Sequence, residues 1–198
     1  MQKSADFGSP VLDVIKKRRS RRAYAEKMVE PEKIRSLFEA ARWAPSSLNE
    51  QPWFYIYATK DQTDLWNKIF DSLKEANKVW ARNAPLLILS LARKNFIRVD
   101  APNPSARYDL GAANAFLSLQ AAHFGLNVHQ IAGFDSQTAI RNLAVPERYE
   151  PVIVMAIGYP GDAEGLPENL KVREIAPRER YVEQEFVINR SFGDPPAE

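Results

Sequence analysis

The chain lacks cysteine altogether and contains only two histidines among its 198 residues. The lack of cysteine excludes disulfides, thiolate metal sites, iron–sulfur clusters and a cysteine nucleophile. Two histidines are too few to supply a histidine-rich metal centre. Neither sign of charge dominates, because 27 lysines and arginines face 25 aspartates and glutamates, which leaves a net charge of +2. The sequence therefore predicts no metal site, and bulk charge gives no reason to expect a nucleic-acid partner.

Long apolar runs are also missing. The apolar stretch Leu86–Leu91 is far too short to span a bilayer, and the polar first residues lack the apolar core of a signal peptide. We therefore expect a cytoplasmic protein with no membrane contact. With 45% hydrophobic residues, the composition is that of an ordinary globular protein. The length predicts a single domain over residues 1–198, with residues 182–198 as a C-terminal arm.

Sequence motifs of several common enzyme classes are absent as well. There is no Gly-x-Gly-x-x-Gly fingerprint, no Walker loop and no Gly-x-Ser-x-Gly elbow. The first absence argues against a nicotinamide-binding fold of the Rossmann type. No catalytic dyad or triad is evident, so we name no catalytic side chain.

Hydrophobic spacing and helix signals predict an α+β fold, because helices and strands mix without strict βαβ alternation. A helix should begin at Pro31 and end near Ala44, since the residue before a proline avoids the helical conformation. Thr59 and Asp135 are expected to cap two further helices. The remaining predicted elements are a buried helix over residues 105–124, strands over 53–58, 85–92 and 151–158, a loop over 95–106, a connection over 160–180, and a final strand or arm over 181–188.

The first candidate site is the basic run that contains Arg18, Ser20 and Arg22. If the segment is extended, these alternate residues share one face and offer two guanidinium groups and a hydroxyl. Guanidinium donors match the oxygens of a phosphate in bidentate geometry. The alternative is a solvated basic turn after a helix, whose C-terminal end favours cations.

A second arginine pair lies near the C-terminus. Arg178 and Arg180 share one face of an extended segment and could complete the phosphate site. A surface ion-pair cluster with Glu179 is the alternative.

The second candidate is the segment from Ala44 to Trp53, which is bracketed by two prolines. Asn49 and Gln51 carry both donors and acceptors, as needed to bind the edge of a heterocycle. A rigid turn between a helix and a strand is the alternative, since Pro, Ser and Asn all favour turns.

The third candidate is the segment from Gly125 to Asp135. Gly133 precedes the predicted helix cap, where backbone can approach a flat ligand closely and offer an N–H group. A simple turn glycine is the alternative. His129 could neighbour a ligand, but a lone histidine is more often a hydrogen-bonded structural residue, and His123 is expected to be structural.

In their order and spacing these segments resemble the FMN-dependent nitroreductase family over residues 11–180. The most specific motif is Pro-Ser-Ser-x-Asn-x-Gln-Pro-Trp, which begins at Pro45. The other motifs are Arg-Arg-Ser-Arg-Arg-Ala-Tyr from Arg18, Asn-x-x-Trp-Ala-x-x-Ala-Pro from Asn77, Asp-x-Gly-Ala from Asp109, Gly-Leu from Gly125 with Gly-Phe-Asp from Gly133, Ile-Gly-Tyr-Pro from Ile157, and Arg178-x-Arg180.

The resemblance implies a nitroreductase-like mixed, largely antiparallel sheet flanked by helices, in an intertwined homodimer with two FMN molecules at the interface. The phosphate end of FMN and the nearby flavin edge would contact Arg18, Arg19, Ser20 and Arg22, joined by Arg178 and Arg180. On the flavin ring, the resemblance assigns a contact to Asn77 and a backbone approach to N5 to Ala132 and Gly133. The other subunit would contribute Pro45, Ser46, Ser47 and Asn49, with Gln51 as a weaker candidate.

The activity that the resemblance implies is an NAD(P)H oxidoreductase with ping-pong kinetics. NADH or NADPH would pass a hydride to flavin N5, and a flat acceptor such as a nitroaromatic or a quinone would then be reduced. The sequence departs from some family members at Ala132 (Glu), at Trp80 (Lys) and at Tyr181-Val-Glu (Lys-Pro-Leu). These departures leave open a flavin-fragmenting or reductive-dehalogenating relative, and the basic run 16–22 leaves open a polyanion-binding module.

Overall fold

The computed structural model describes residues 7–193. This part of the chain forms seven α-helices and four β-strands. The helices are α1 (Asp13–Lys17), α2 (Pro31–Arg42), α3 (Thr63–Phe70), α4 (Glu75–Ala81), α5 (Ala106–His123), α6 (Ser136–Leu143) and α7 (Glu168–Ile175). The strands are β1 (Trp53–Thr59), β2 (Leu86–Arg93), β3 (Asn127–Ile131) and β4 (Tyr149–Gly158).

The four strands form one sheet in the order β1-β2-β4-β3. Each of the three pairings is antiparallel, and no parallel pairing occurs within residues 7–193. The α+β class is thereby confirmed. Because β1 and β3 are the two edges, they lie three strand spacings apart, which is about 14 Å.

The core lies on both faces of the sheet, because helices cover each face. Leu86 and Ile88 of strand β2 pack with helices α2 and α5 on one face. Leu87 and Leu89 pack on the other face, with α3, α4 and α6. Successive residues of a strand point to opposite faces, so a strand covered on both sides needs an unbroken apolar run. This explains why the apolar run of β2 predicts a buried strand correctly.

Several predicted boundaries agree with the structure. Helix α2 begins at Pro31, and α5 ends just before Gly125, whose φ of +73° suits glycine. The side chain of Asp135 caps α6 by accepting a hydrogen bond from the Thr138 N–H at 2.6 Å. Residues 95–105 are a loop in which only an isolated bridge joins Asn95 and Pro102.

The predicted helix cap at Thr59 is wrong. Thr59 is the last residue of β1, and α3 begins at Thr63 after Gln62. The Gln62 side chain turns back and accepts hydrogen bonds from the N–H and the hydroxyl of Thr59, at 3.1 and 3.0 Å. A threonine can end a strand as readily as it can cap a helix, and here the pairing with Leu86 of β2 decides.

The sequence reading missed three short elements, namely α4, β3 and α7. Each has eight residues or fewer, and none has a long periodic apolar pattern. The sequence predicts a strand or an arm for residues 181–188. The structure has no strand there and forms only a short 3-10 turn at Glu183–Glu185. Within residues 7–193, no helix is long and apolar enough to cross a membrane.

Candidate functional site

The candidate site is built around residues 18–23, which we call the arginine segment. The segment leaves α1 without regular secondary structure, and the Nη1 of Arg18 donates a hydrogen bond to the hydroxyl of Ser20 at 3.3 Å. Both side chains therefore lie on the same side, as an extended segment requires. The segment is not a free surface turn, because residues 174–180 pack along it.

Residues 174–180, which we call the clamp segment, hold the arginine segment through backbone atoms. Arg19 donates to the carbonyl of Ala176 at 2.7 Å, and Arg21 donates to the carbonyl of Glu174 at 3.1 Å. In the opposite direction, Arg178 donates to the carbonyls of Arg18 and Lys16, at 2.8 and 2.5 Å. These contacts join parts of the chain about 150 residues apart in sequence, such as Arg21 and Glu174.

The carboxylate of Glu174 also contacts the backbone of the arginine segment. It is 3% exposed and accepts hydrogen bonds from the N–H groups of Arg22 and Ala23. Both carboxylate oxygens lie 3.0 Å from the Arg22 nitrogen, and one of them lies 3.2 Å from the Ala23 nitrogen. No sequence pattern pointed to this residue, because it lies in a charged stretch and its partners are distant in sequence.

A cavity of about 640 Å³ opens between the two segments. Its charged lining consists of Arg18, Arg178 and Arg180 together with Glu179, and its apolar lining includes Ile15 and Val182. Arg180 donates to the backbone carbonyl of Glu179 at 2.6 Å and forms no ion pair within residues 7–193. The structure thus brings together three of the predicted phosphate ligands. Arg18 comes from the N-terminal part of the chain, and Arg178 and Arg180 come from the C-terminal part.

The arginines of this cavity repel one another. Burial, followed by the charges of Arg180 and Arg19, lowers the pKa of the Arg18 guanidinium. Burial, followed by the charges of Arg18 and Arg180, lowers the pKa of Arg178. Among the described residues, no carboxylate forms an ion pair with any of these guanidinium groups. Because an anion would relieve this repulsion, the donor set fits a phosphate.

Arg22 does not line this cavity and lies against Trp80 of α4. Its guanidinium carbon lies 5.8 Å from the centre of the Trp80 ring, a cation–π geometry. The ring of Trp80 also contacts His129 of β3, with 4.6 Å between the ring centres. No hydrogen bond or ion pair of the Arg22 guanidinium is found within residues 7–193. Its donors are therefore available to a ligand.

His129 contacts the backbone of the arginine segment. Its Nδ1 lies 3.1 Å from the carbonyl oxygen of Arg21. Burial, together with the charge of Arg22, lowers the pKa of His129 to about 4. The ring is therefore neutral near pH 7 and donates Nδ1–H to the carbonyl, which is the structural role expected for this residue.

Asn77 and Gly133 meet directly. The Nδ2 of Asn77 donates to the carbonyl of Gly133 at 2.9 Å, and the N–H of Lys74 donates to the same oxygen at 3.0 Å. A Cβ on Gly133 would lie 2.4 Å from Asn77 Nδ2, so a side chain at residue 133 would displace the Asn77 amide. Asn77 and Trp80 are three residues apart on α4 and share its face. This face therefore connects the arginine segment with Gly133, next to the exposed Ala132.

The Pro45–Gln51 loop lies elsewhere in the chain. It precedes β1, whereas Ala132 and Gly133 follow β3, and these strands are opposite edges of the sheet. Helix α5 anchors the loop, because Asp109 accepts a hydrogen bond from the Ser47 N–H at 3.1 Å. Among the described residues, nothing connects this loop to the arginine segment or to Gly133.

The backbone of this loop has an unusual shape. Leu48, Asn49 and Gln51 have φ values of +53°, +55° and +49°, in the left-handed region that residues other than glycine rarely adopt. Ser46 stabilises the turn by accepting a hydrogen bond from the Gln51 N–H at 3.0 Å. The predicted turn character is therefore present, and the amides of Asn49 and Gln51 stay exposed at its tip.

Comparison with known proteins gives one family. The model of the Nitroreductase family matches residues 15–159. A Methanothermobacter thermautotrophicus protein, provisionally named NADH dehydrogenase/NAD(P)H nitroreductase, is 27% identical over 161 residues. That alignment covers 78% of this chain and 80% of the relative.

Solved structures with the same fold cover nearly the whole chain. One, described as an oxidoreductase containing FMN, superposes with a TM-score of 0.90 at 30% identity, over 95% of this chain and 96% of its own. A provisionally named nitroreductase from Desulfovibrio desulfuricans, solved in complex with FMN, superposes with a TM-score of 0.73. At 24% identity it covers 94% of this chain and 99% of its own.

Proposed function

Since this chain belongs to the nitroreductase family, we propose that it binds FMN and uses it to transfer electrons from NADH or NADPH to a flat acceptor. A nitroaromatic or a quinone has the required flat shape. That the chain is an FMN-dependent NAD(P)H oxidoreductase follows from the family and from its relatives. The nature of the acceptor and the ping-pong order are the proposal.

The observation that carries the proposal is the set of arginines without acidic partners. Arg18, Arg178 and Arg180 line one cavity, and Arg22 presents its guanidinium nearby. A phosphate monoester would provide the missing negative charge and accept bidentate hydrogen bonds. Arg19 and Arg178 have a further role, since each already donates to backbone carbonyls and thereby fixes the segment.

The geometry around Gly133 supports a place for the flavin ring. Asn77 and Lys74 both donate to the Gly133 carbonyl, so the orientation of this peptide group is fixed. Nothing among the described residues accepts a hydrogen bond from the N–H of Gly133. That N–H is free to donate to a ring nitrogen, as the resemblance implies for the Ala132–Gly133 pair.

Bound FMN would supply the redox chemistry, by accepting a hydride from NADH or NADPH and passing two electrons to the acceptor. The residues of the chain would bind the cofactor, orient its ring and stabilise its reduced form. The arginines hold the phosphate and add positive potential, which favours an anionic ring. His129 is neutral and its Nδ1 contacts the Arg21 carbonyl, so we assign it a structural role and no acid or base step.

We further propose that the site is completed by a second copy of the chain. The Pro45–Gln51 loop and Gly133 belong to opposite edges of one sheet, so a single chain does not bring them together. Large apolar side chains are also exposed near the C-terminus, among them Phe186 and Phe192 at 69% and 97%. An intertwined homodimer would cover this apolar surface. The cytoplasmic location and the single-domain organisation stay predictions.

The alternative of a polyanion-binding module is less well supported. Its basic run would need free guanidinium groups along residues 16–22, yet Arg19 and Arg21 donate to carbonyls of the clamp segment. A flavin-fragmenting or reductive-dehalogenating relative would use the same cofactor contacts and differ in the acceptor.

The test is the visible spectrum of the purified protein, followed by anaerobic titration with NADH and with NADPH. We expect a yellow protein whose flavin absorbance bleaches with one of the two donors and returns when a quinone or a nitroaromatic is added. A colourless protein that takes up no added FMN would overturn the proposal. Affinity for DNA or RNA that falls steeply with salt would instead favour the polyanion module.

A further inference from the structure

Glu174 combines features that set it apart from the other acidic residues near the arginines. It is 3% exposed, and its carboxylate faces a segment that carries four arginines. Within residues 7–193 it is the one carboxylate that forms hydrogen bonds with the arginine segment. It lies in α7, beyond residue 159 where the match to the family model ends.

The partners of this carboxylate are backbone N–H groups and not guanidinium groups. Its oxygens accept from the N–H groups of Arg22 and Ala23, and no ion pair to Glu174 is present among the described residues. Its charge nevertheless acts on the arginines, because it raises the pKa of Arg22 and of Arg19 against the larger effect of burial. Glu174 therefore stabilises the positive charges through space.

This arrangement has a consequence for anion binding. A carboxylate bound directly to the guanidinium groups would compete with a phosphate for the same donors. Glu174 uses its acceptor sites on the backbone, so it offsets part of the cost of collecting buried arginines while their donors stay available. The guanidinium groups of Arg19 and Arg21 likewise donate to neutral acceptors, the backbone carbonyls of Ala176 and of Glu174 itself.

We propose that Glu174 is the positioning residue of the anion site. By fixing the peptide groups of Arg22 and Ala23, it sets the direction in which Arg22 presents its guanidinium group. The inference rests on the proposed function, since the anion is taken to be the phosphate of FMN. It adds a residue that touches neither the cofactor nor the substrate.

The experiment compares Glu174→Ala and Glu174→Gln with wild type in fluorescence titrations of the flavin-stripped protein. FMN and riboflavin are titrated separately, because riboflavin lacks the phosphate. For Glu174→Ala we expect FMN to bind about 10- to 100-fold more weakly, and riboflavin to change by less than about threefold. For Glu174→Gln we expect a smaller loss, since one amide oxygen can still accept from both Arg22 and Ala23.

The sign of the effect separates positioning from plain electrostatics. Removing a negative charge near a phosphate would by itself tighten FMN binding. Tighter or unchanged FMN binding in a folded Glu174→Ala protein would therefore overturn the proposal. If Glu174→Ala does not fold, Glu174→Gln decides by the same ratio of FMN to riboflavin affinity, and an unchanged ratio there would overturn it.

Leu166→Ala is the matched control for general loosening of this region. Leu166 is buried just before α7 and makes no hydrogen bond to the arginine segment through its side chain. We expect it to lower the melting temperature by circular dichroism and to keep the wild-type ratio of affinities. An equal fall of the ratio in Leu166→Ala would overturn the role of Glu174. If wild type itself binds neither flavin, the proposed function fails, which is a separate outcome.

Discussion

At the scale of single residues, the arginines divide into two groups by what their guanidinium groups contact. Those of Arg19, Arg21 and Arg178 donate to backbone carbonyls and hold two segments together. That of Arg22 packs over Trp80 and has no hydrogen-bond acceptor within the described residues. The first group has a structural role, which Arg178 combines with lining the cavity, and we expect its loss to affect folding. The second is available to a ligand.

The first prediction is that Arg22→Ala weakens FMN binding by about 10- to 100-fold, because one charge-assisted hydrogen bond contributes roughly 1.5–3 kcal/mol. Riboflavin binding should change much less, since it lacks the phosphate. Fluorescence titration with both flavins measures this. Arg35→Ala is the control, because Arg35 is an exposed arginine of α2 whose loss changes the net charge equally. Equal losses for both flavins would contradict the assignment.

The second prediction concerns pH and His129. The pKa of His129 is about 4 in the folded chain, lowered from 6.5 by burial and by Arg22. Between these values the unfolded state binds a proton that the folded state does not. The free energy of unfolding should therefore fall as pH drops from 6.5 to 4, by at most about 1.4 kcal/mol per pH unit from this group, and stay unaffected above 6.5.

Urea denaturation of the flavin-stripped protein at several pH values tests this prediction. His129→Asn keeps a donor near the position of Nδ1 and removes the titrating ring, so its stability should depend less on pH over that range. His123→Asn, at the exposed end of α5, is the matched control and should keep the wild-type slope. If the free energy of unfolding changed with pH equally in wild type and in His129→Asn, the titration of His129 would not contribute to the pH dependence of stability.

At the scale of elements, the side chain of Asn77 joins α4 to the turn that follows β3. Asn77 bonds to the Gly133 carbonyl and occupies the space that a Cβ on Gly133 would need. A flavin ring lying against Gly133 is one reason for glycine at this position, and the Asn77 amide is a second reason that the sequence did not suggest. The two reasons are separable by experiment.

The third prediction is a double-mutant cycle between these residues. Gly133→Ala alone should destabilise the protein by about 1–3 kcal/mol, because the new methyl group displaces the Asn77 amide. In an Asn77→Ala background the same change should cost less, with a coupling free energy of about 1 kcal/mol or more. Urea denaturation of the four proteins gives this coupling. Additive effects would mean that Asn77 does not require glycine at residue 133.

The flavin contact is then tested in the double variant, where the clash is absent. If the ring also lies against Gly133, Gly133→Ala should weaken riboflavin binding even in the Asn77→Ala background. Riboflavin affinity equal to that of Asn77→Ala alone would remove Gly133 from the ring contact.

At the scale of the whole molecule, the candidate site consists of two parts that one chain keeps apart. The arginine segment, Asn77 and Gly133 form one part, and the Pro45–Gln51 loop forms the other at the far edge of the sheet. Exposed apolar residues of the C-terminal region, including Val187 at 51%, have no cover within the described chain. A second copy of the chain would bring its Pro45–Gln51 loop to Gly133, and it would also cover the exposed apolar residues of the C-terminal arm.

The fourth prediction is that deleting residues 182–198 weakens the homodimer and releases FMN together. The deletion removes Phe186, Val187 and Phe192, whose apolar surface we expect the partner to bury. Analytical ultracentrifugation with flavin absorbance detection measures both quantities in one run. A native monomer with full FMN occupancy would refute the need for two chains.

The parts of the fold that could be predicted from sequence are those with strong local patterns. The unbroken apolar run of β2, the Ala-rich α5 and the proline that begins α2 each carry their own signal. The short elements α4, β3 and α7 could not be predicted in this way, because short segments depend on tertiary contacts more than on a local pattern of their own. Thr59 shows the same limit, since pairing with Leu86 overrode its capping preference.

The sequence by itself determined which residue types the candidate site offers, because the chemistry of a guanidinium or amide group is local. It could not show which arginines bind carbonyls and which remain free, since that depends on contacts between residues far apart in the chain. Glu174 and the Asn77–Gly133 contact belong entirely to the tertiary structure. The separation of the Pro45–Gln51 loop from Gly133 was also decided by the tertiary structure, because the strand order places the strands next to them, β1 and β3, at opposite edges of the sheet.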